Sequence, residues 1–580
     1  MKKKKKAIRR LCLAALLMTA LVLNGCSLRP GPARTPEGKA LFRLGFSGSA
    51  DSLNPYAASD SEAEAAFALL YDTLFRVENE TQEIVESLCK SYTVTNSASG
   101  VGKLWHIELR EDVYWSDGEK LTASDVEFSL QSQKDLSTLY SAPYCEMLDT
   151  TGISVEDDTH LAMIVWGEEA YVKACLSRIP ILPRHIWNEL PCMRYDASGV
   201  PADPIRAHEE IYDISADAST MVGTGLYTWG DYHDGVLTLR LNEAYWDGAS
   251  RAEVVELHYA LPDTAGAILR GEIDGCWDMS FNDFRQMSEN EAVRVTSGTE
   301  GSFYQLGFHF SQDRSPIQDA AVRQAAEYCT SRDTLLLYAF GGGYSQRGMI
   351  SPYSPNYTMD EVVFDRPFEI ETAASLLQNA GWVDSNGDGV REKNGTELKL
   401  TLLCSEDSLA WDRAAQILKV CFASAGMEME IRLLPPEQYA VELSAGQWDL
   451  CLTERTCWPD PWFSLGCFYW NNGDNLYAQP DGQGGYTSLG WNDCGYDRAE
   501  YDRLYEKLLT LSEPSALREQ TAKCEEYLYN DSAAVTIGFS VDYQACSRVW
   551  TGLKAYVGGG LYFTPGTLRE QMQTIFTGKR

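Results

Sequence analysis

The chain is poor in the residues from which most catalytic and metal sites are built. Its 580 residues include 7 histidines, which do not cluster at ligand intervals, and no Cys-x-x-Cys pair occurs among its 16 cysteines. Zinc ligands recur at short fixed spacings, so neither a structural nor a catalytic zinc is expected. A glycine loop ending in Lys-Ser/Thr, which would cradle a phosphate, is absent. Gly45-Phe46-Ser47-Gly48-Ser49 lacks the last glycine of a nucleophile elbow. His208-Glu209-Glu210-Ile211-Tyr212 lacks the second histidine of a zinc-protease helix. Basic charge is scarce too: 49 Lys and Arg stand against 83 Asp and Glu, a formal net charge of −34. Nucleic acid is therefore excluded as a partner, because phosphate neutralisation needs basic patches. The same balance disfavours docking on anionic lipid and keeps the surface soluble. Paired carboxylates of a glycoside hydrolase remain open, since sequence does not set the separation of any pair.

Long apolar runs are also missing, apart from one at the start. Lys2–Lys6 with Arg9 and Arg10 precede an apolar stretch, Leu11–Leu23, that is too short to span a bilayer. It ends in Leu23-Asn24-Gly25-Cys26, which resembles the lipobox of bacterial lipoproteins. Residues 1–25 are thus expected to be a signal peptide and Cys26 a lipid attachment site, with acyl chains in the membrane and the rest in water. Residues 26–40, rich in Pro and Gly, read as a flexible stalk. Beyond Cys12 and Cys26 the cysteines are dispersed in apolar contexts. Free buried thiols are expected of them rather than a disulfide framework, which a chain of this length does not need.

Strand and helix patterns alternate along the body. Trp105, Ile107 and Leu109 alternate before the turn Ser116-Asp117-Gly118, and Thr122 with Asp125 opens a helix. Gly223-Thr224-Gly225 and the alternating Leu237, Leu239 and Leu241 repeat that grammar. A helix capped by Asp319 runs through Val322-Arg323-Gln324-Ala325, and another spans Ala373–Ala380. The class is α/β.

Six segments occur in the order found in the extracellular solute-binding proteins of peptide-type ABC importers, which the chain resembles. They are Ser52-Leu53-Asn54-Pro55, Leu70-Tyr71-Asp72-Thr73-Leu74, Trp115–Val126, Gly223-Thr224-Gly225, Gly271-Glu272-Ile273-Asp274 and Val322-Arg323-Gln324-Ala325. The resemblance implies a two-lobed periplasmic-binding-protein-like fold with an extra inserted α/β domain and a ligand cleft between the lobes. It divides the body into a first lobe (41–75, 181–290 and 541–580), an inserted domain (76–180) and a second lobe (291–540). It implies no enzyme and no cofactor. The protein would be a monomer that captures short peptides, or a related small solute, and delivers them to an ABC permease. It would sit lipid-anchored on the extracytoplasmic face. A lipid-anchored hydrolase, or a sensor feeding a membrane signalling partner, is the alternative.

For ligand contacts the resemblance implies Ser59 and Ser61, although a helix cap is their plainer role. The residues also point to the loop Glu454–Phe463, which packs prolines, aromatics and charges after an apolar strand. Arg455, Trp458, Asp460 and Trp462 are its candidates, aromatics walling a pocket while a charge orients the solute. Peptide-binding relatives carry an aspartate where this chain has Cys457, which leaves Asp460 as the acid for a ligand amine. Trp458 and Trp462 read equally well as core. Asp384–Gly389 fits the opening of a calcium loop, but its twelfth position is Gly395 where a bidentate Glu belongs. A connector between helix and strand is the plainer reading, and no metal is expected.

Overall fold

The computed structural model describes residues 33–58, 60–98, 102–135, 142–145, 148–188, 211, 214–299, 302–310, 315–352, 354, 356–358, 362–406, 408–455, 461–469, 478–480, 486–488, 492, 494–556 and 560–577. The chain starts with strand β1 (Leu41–Gly45) and helix α1 (Ser61–Leu70). It then builds a separate sheet from β2 (Cys89–Asn96), β3 (Lys103–Leu109), β4 (Leu148–Val155) and β5 (His160–Val165), closed by helix α2 (Glu169–Leu176). It returns as β6 (Tyr227–His233), β7 (Val236–Leu241), β8 (Val254–His258), β9 (Gly275–Cys276) and β10 (Val293–Gly298). A further sheet follows: β11 (Phe303–Phe308), β12 (Tyr344–Ser345), β13 (Lys399–Ser405), β14 (Glu428–Leu434), β15 (Leu450–Arg455) and β16 (Ala534–Phe539). Its helices include α3 (Ala320–Tyr328), α4 (Leu409–Ser424), α5 (Pro461–Gly466), α6 (Ala499–Leu508) and α7 (Pro514–Asp531). The chain comes back as β17 (Asp542–Ser547) and α8 (Pro565–Thr574).

The strand orders are β10-β17-β9-β1-β8-β7-β6 in the first sheet and β12-β16-β11-β15-β13-β14 in the second, while β2-β3-β5-β4 form a sheet inserted in sequence between β1 and β6 of the first. β1 runs parallel to both β8 and β9. Its run Leu-Phe-Arg-Leu-Gly suits a strand covered on both faces, and four of its five residues are buried. The first sheet also takes β10, which lies beyond the boundary expected at residue 290. Its ladder with β17 holds it there, from Val293 opposite Ser547 to Gly298 opposite Asp542.

Two segments connect the sheets, and they lie side by side. Gly298 faces Asp542 at the end of the first ladder, and Phe303 faces Phe539 at the start of the next. Between them the Ser540 amide donates to the Ser302 carbonyl at 2.8 Å. The two crossings are therefore one ribbon. The four-stranded unit and the second-sheet unit touch as well. Trp105, Trp115 and Tyr171 share one core cluster with Trp462, Phe463, Tyr501 and Tyr505, and the Glu168 amide donates to Leu509 at 3.2 Å.

The cysteines follow the buried-thiol expectation. All twelve among the described residues are unbridged, and only Cys421 is less than buried. Burial pushes the thiols of Cys276, Cys404 and Cys524 up to about 12.

Candidate functional site

The pairing pattern fixes which edges of the sheets meet. β9 and β10 both run antiparallel to β17, so β1, β8, β9 and β10 all point the same way. Their carboxyl ends lie on the edge from which the chain leaves for the second sheet. β11 begins at that crossing and runs antiparallel to β15, which in turn is parallel in direction to β13 and β14. The carboxyl ends of β13, β14 and β15 therefore lie on the edge facing the crossing. Open α/β sheets bind ligands outside the carboxyl ends of their strands. Here two such edges confront each other.

The first-sheet edge is acidic. Past β1, the Ser47 amide donates to Asp278 Oδ1 at 2.9 Å and its hydroxyl donates to Asp278 Oδ2. Asp278 follows β9, and Phe46 packs between Tyr259 and Trp277 at 5.2 and 5.1 Å. Glu62 leans over the same place: a Cβ on Gly48 would sit 2.2 Å from its Oε1. Ser61 donates to Glu62 Oε2 at 3.0 Å. Asp60 caps α1, accepting from Ala63 N at 2.8 Å, and also accepts from Asp51 N at 2.5 Å. Burial raises the pKa of both Asp60 and Glu62, and neighbouring acids push the same way. Among the described residues no lysine or arginine forms an ion pair with Asp60, Glu62 or Asp278.

The second-sheet edge is aromatic, with Arg455 and the acids Glu454 and Asp542 beside its rings. Tyr304 stacks on Phe340 at 3.8 Å, and Trp411 meets both rings edge-on at 5.9 and 5.4 Å. Trp411 lies in the first turn of α4, which Ser408 caps just past β13. Beside it Leu409 is 72% exposed. Arg455, the last residue of β15, stands opposite Phe303 at the crossing and donates from Nε to Gln305 Oε1 at 2.9 Å.

Of the residues expected from sequence, the structure brings Ser61 to the first edge and Arg455 to the second. Trp462 lies elsewhere. It is 2% exposed, its indole donates to the Leu508 carbonyl at 3.4 Å, and its ring meets Tyr171 edge-on at 5.7 Å. It fills core between α2 and α6, one of the two readings its sequence allowed equally. Cys26, Ser59, Trp458 and Asp460 lie outside the described residues. Sequence reasoning missed Ser47, Glu62, Asp278, Tyr304 and Trp411. The one usable signal was position: Trp277-Asp278 directly follows the strand introduced by Gly271-Glu272-Ile273-Asp274.

The Asp384–Gly389 turn serves itself. Asp384 accepts from the amides of Gly387 and Gly389 at 2.7 and 3.0 Å, and Glu392 is drawn to Ser385. Its carboxylates are committed to shaping a connector between Ile370–Asn379 and the hairpin Glu392–Glu397.

The six sequence blocks are each built around buried polar residues, at separate points of the fold. Asp72 accepts from Tyr245 at 3.0 Å and from Thr224 and Trp246 at 3.1 Å, with Arg569 at 3.5 Å. A Cβ on Gly223 would fall 1.9 Å from the Leu70 carbonyl, so the glycine turn must be bare to approach the end of α1. Asp274 pairs with Arg43 of β1 at 2.9 Å. Asn54 donates to Ile211 O at 2.7 Å, and Asp125 accepts from the amides of Thr122 and Arg184. Arg323 grips the end of α7 through the carbonyls of Asp531 and Ser532 at 3.0 and 3.1 Å.

Two sheets presenting their carboxyl edges to each other across a double crossing define a two-lobed binding protein, which holds a solute between its lobes. The profile of the bacterial extracellular solute-binding proteins, family 5 (middle), matches residues 83–475, and the chain belongs to that family. The oligopeptide-binding protein AppA of Bacillus subtilis (strain 168) is 22% identical over 555 residues, covering 92% of each chain. The solved structure of AppA from Bacillus subtilis in complex with a nonapeptide matches with a TM-score of 0.71 at 18% identity, covering 93% of this chain and 99% of that one. NikA from Brucella suis in complex with Fe(III)-EDTA matches with a TM-score of 0.72 at 15% identity, covering 93% and 100%. These relatives are binding proteins of a family described as extracellular. No helix among the described residues is long and apolar enough to cross a membrane.

Proposed function

We propose that the protein captures short peptides in the cleft between its two sheets and hands them to an ABC import permease. Lipid on Cys26 would hold it at the extracytoplasmic face of the membrane, as a monomer that performs no covalent chemistry. The observation that carries this reading is the charge pattern of the two facing edges. Asp60, Glu62 and Asp278 crowd together without a cation among the described residues, while an arginine and three aromatic rings stand opposite. A ligand ammonium docked on the first edge forms charge-assisted hydrogen bonds. Apolar side chains of the ligand pack on Tyr304, Phe340 and Trp411. Asp460, with Trp458, belongs to the loop that follows Arg455 and is the second-lobe acid assigned to the same ligand. The names of the relatives above, oligopeptide-binding and metal-chelate-bound, bracket the solute class.

The test is native mass spectrometry of protein purified from a rich culture, followed by isothermal titration with the peptide found and with its N-acetylated form. The reading requires a retained peptide, and weaker binding when the amine is blocked. A retained sugar or metal chelate, or turnover of the peptide, defeats it. Cys26→Ser should release the protein from the membrane fraction, and continued partitioning with lipoproteins removes the anchor.

A further inference from the structure

Beside the crossing, one side chain of the first sheet reaches across to the second. Tyr543 follows Asp542 in β17 and lies opposite Ser297 of β10, so its backbone belongs to the first sheet. Its ring packs against Phe284 at 4.9 Å and Phe281 at 5.5 Å, both on the helix Phe281–Met287 of the same lobe. Its hydroxyl end meets the other lobe. A Cβ built on Gly342 would lie 2.5 Å from Tyr543 Oη and 3.7 Å from its Cζ. Gly342 stands between the helix Arg332–Tyr338 and β12, in the unit of the second sheet.

Both sides of this contact are held firmly. Gly341, Gly342 and Gly343 have φ values of 76°, 147° and 151°, which residues with side chains rarely adopt. Their path hugs β16, the strand that leads into the crossing. A Cβ on Gly343 would fall 2.9 Å from the Phe539 carbonyl, and Tyr344 pairs with Phe539. What Tyr543 meets is therefore backbone, which yields less than the end of a flexible side chain. Among the described residues the Tyr543 hydroxyl forms no hydrogen bond, so the contact is one of shape and opens without breaking a bond.

The place of the contact gives it a direction. The helix bearing Phe281 and Phe284 starts just after Asp278, and Gly342 comes just after Phe340, which stacks on Tyr304. Both belong to the edges that face each other, so the contact limits how far those edges approach. The far strand of the first sheet, β6, lies five strands from β17, roughly 24 Å at about 4.8 Å per strand. A small change at Tyr543 is therefore magnified at that rim.

We infer that Tyr543 is a closure stop that sets solute size. Braced on Phe281 and Phe284, it meets bare backbone at Gly342 and fixes the narrowest cleft the two lobes can form. The size-selecting role rests on the peptide reading proposed above; the stop itself does not.

The test has two arms, both on the full chain. In the first, single-molecule energy transfer is recorded without solute, between dyes carried by unnatural amino acids at Tyr232 and Leu409. Both positions are exposed. Tyr232 is at the carboxyl end of β6, which runs in the direction of β8, and Leu409 opens α4, so each marks one facing edge. The shortest distance visited should decrease in Tyr543→Phe, decrease further in Tyr543→Ala, and increase in Tyr543→Trp. In the second arm, isothermal titration compares dialanine with pentaalanine. Tyr543→Ala should raise the affinity for dialanine relative to pentaalanine by about tenfold. An unchanged shortest distance in Tyr543→Ala overturns the stop, and an unchanged peptide ratio overturns its role in size selection. If no alanine peptide binds the unaltered protein, the peptide reading and the size-selecting role fall together, and the distances alone judge the stop. If Tyr543→Trp misfolds, the phenylalanine and alanine variants decide between them.

Discussion

Asp72 and Asp278 are two aspartates on the same side of the crossing, and their surroundings are opposite. Asp72 sits 3% exposed among a tyrosine, a threonine and a tryptophan that donate to it, with Arg569 close by. Asp278 is bonded by Ser47, lies near Glu62, and has no cation in contact among the described residues. The first is a completed joint between α1, the glycine turn and α8. The second has no positive partner among the described residues. A carboxylate that stabilises the fold finds its partners inside the chain, whereas one that serves a ligand leaves a place open.

Removing the completed joint should do the most damage. Asp72→Ala strands three buried donors and takes the nearest acid from half-buried Arg569, and breaking such a cluster costs about 3–5 kcal/mol. Urea denaturation should show that loss, with ligand affinity unchanged at temperatures where the variant is folded. Trp462→Ala belongs with it, because it empties core between α2 and α6; about 3–5 kcal/mol is expected, again read by denaturation. If Trp462→Ala instead abolished binding with stability intact, the tryptophan would be a ligand wall after all.

Asp278→Asn should invert the pattern. An amine-bearing peptide should lose about 2–5 kcal/mol of affinity by isothermal titration. The unliganded fold should hold or gain stability, since one member of a crowd of acids is removed. The pH dependence follows from the same crowding. Asp60 and Glu62 have raised pKa values, so they are protonated as pH falls before ordinary carboxylates are. Affinity for the ammonium should therefore begin to fall at a higher pH than in a site built from unperturbed acids, and titrations across pH 4–8 check this.

The smallest effect expected is at Glu64, whose pKa burial raises from 4.5 to about 7. The folded state then binds the proton more tightly than the unfolded chain. Its contribution to stability should rise as pH falls through about 7 and level off below about 4.5. The gain is about 1–3 kcal/mol, allowing for its partial exposure. Glu64→Gln should flatten that slope in thermal melts recorded from pH 4 to 8.

These contrasts explain what could be read from the sequence. The blocks that suggested the family carry Asn54, Asp72, Asp125, Thr224, Asp274 and Arg323, each of them buried. A buried polar group needs one particular set of partners, so its neighbours in sequence are constrained and form a recognisable word. The α/β class was legible for a similar reason, through strands such as Leu237–Leu241 whose alternation reports a covered face. The cleft edge has no such word. Ser47, Asp278, Tyr304 and Trp411 are single residues just past strand ends, brought together only by the order of strands in two sheets. Trp462 stayed open between two readings because aromatic crowding in a loop reads alike for a ligand wall and a core. The boundary expected at residue 290 missed β10 because its partner, β17, lies some 250 residues further along the chain.

The paired crossings have a mechanical consequence. Gly298 faces Asp542, Phe303 faces Phe539 and Ser540 is bonded to Ser302 between them, so the described parts of the two crossings would bend together rather than slide past each other. Bending at that place would change the opening angle between the sheets. A membrane partner touching both halves needs to sense only that angle. It can register that a solute is aboard without touching the solute.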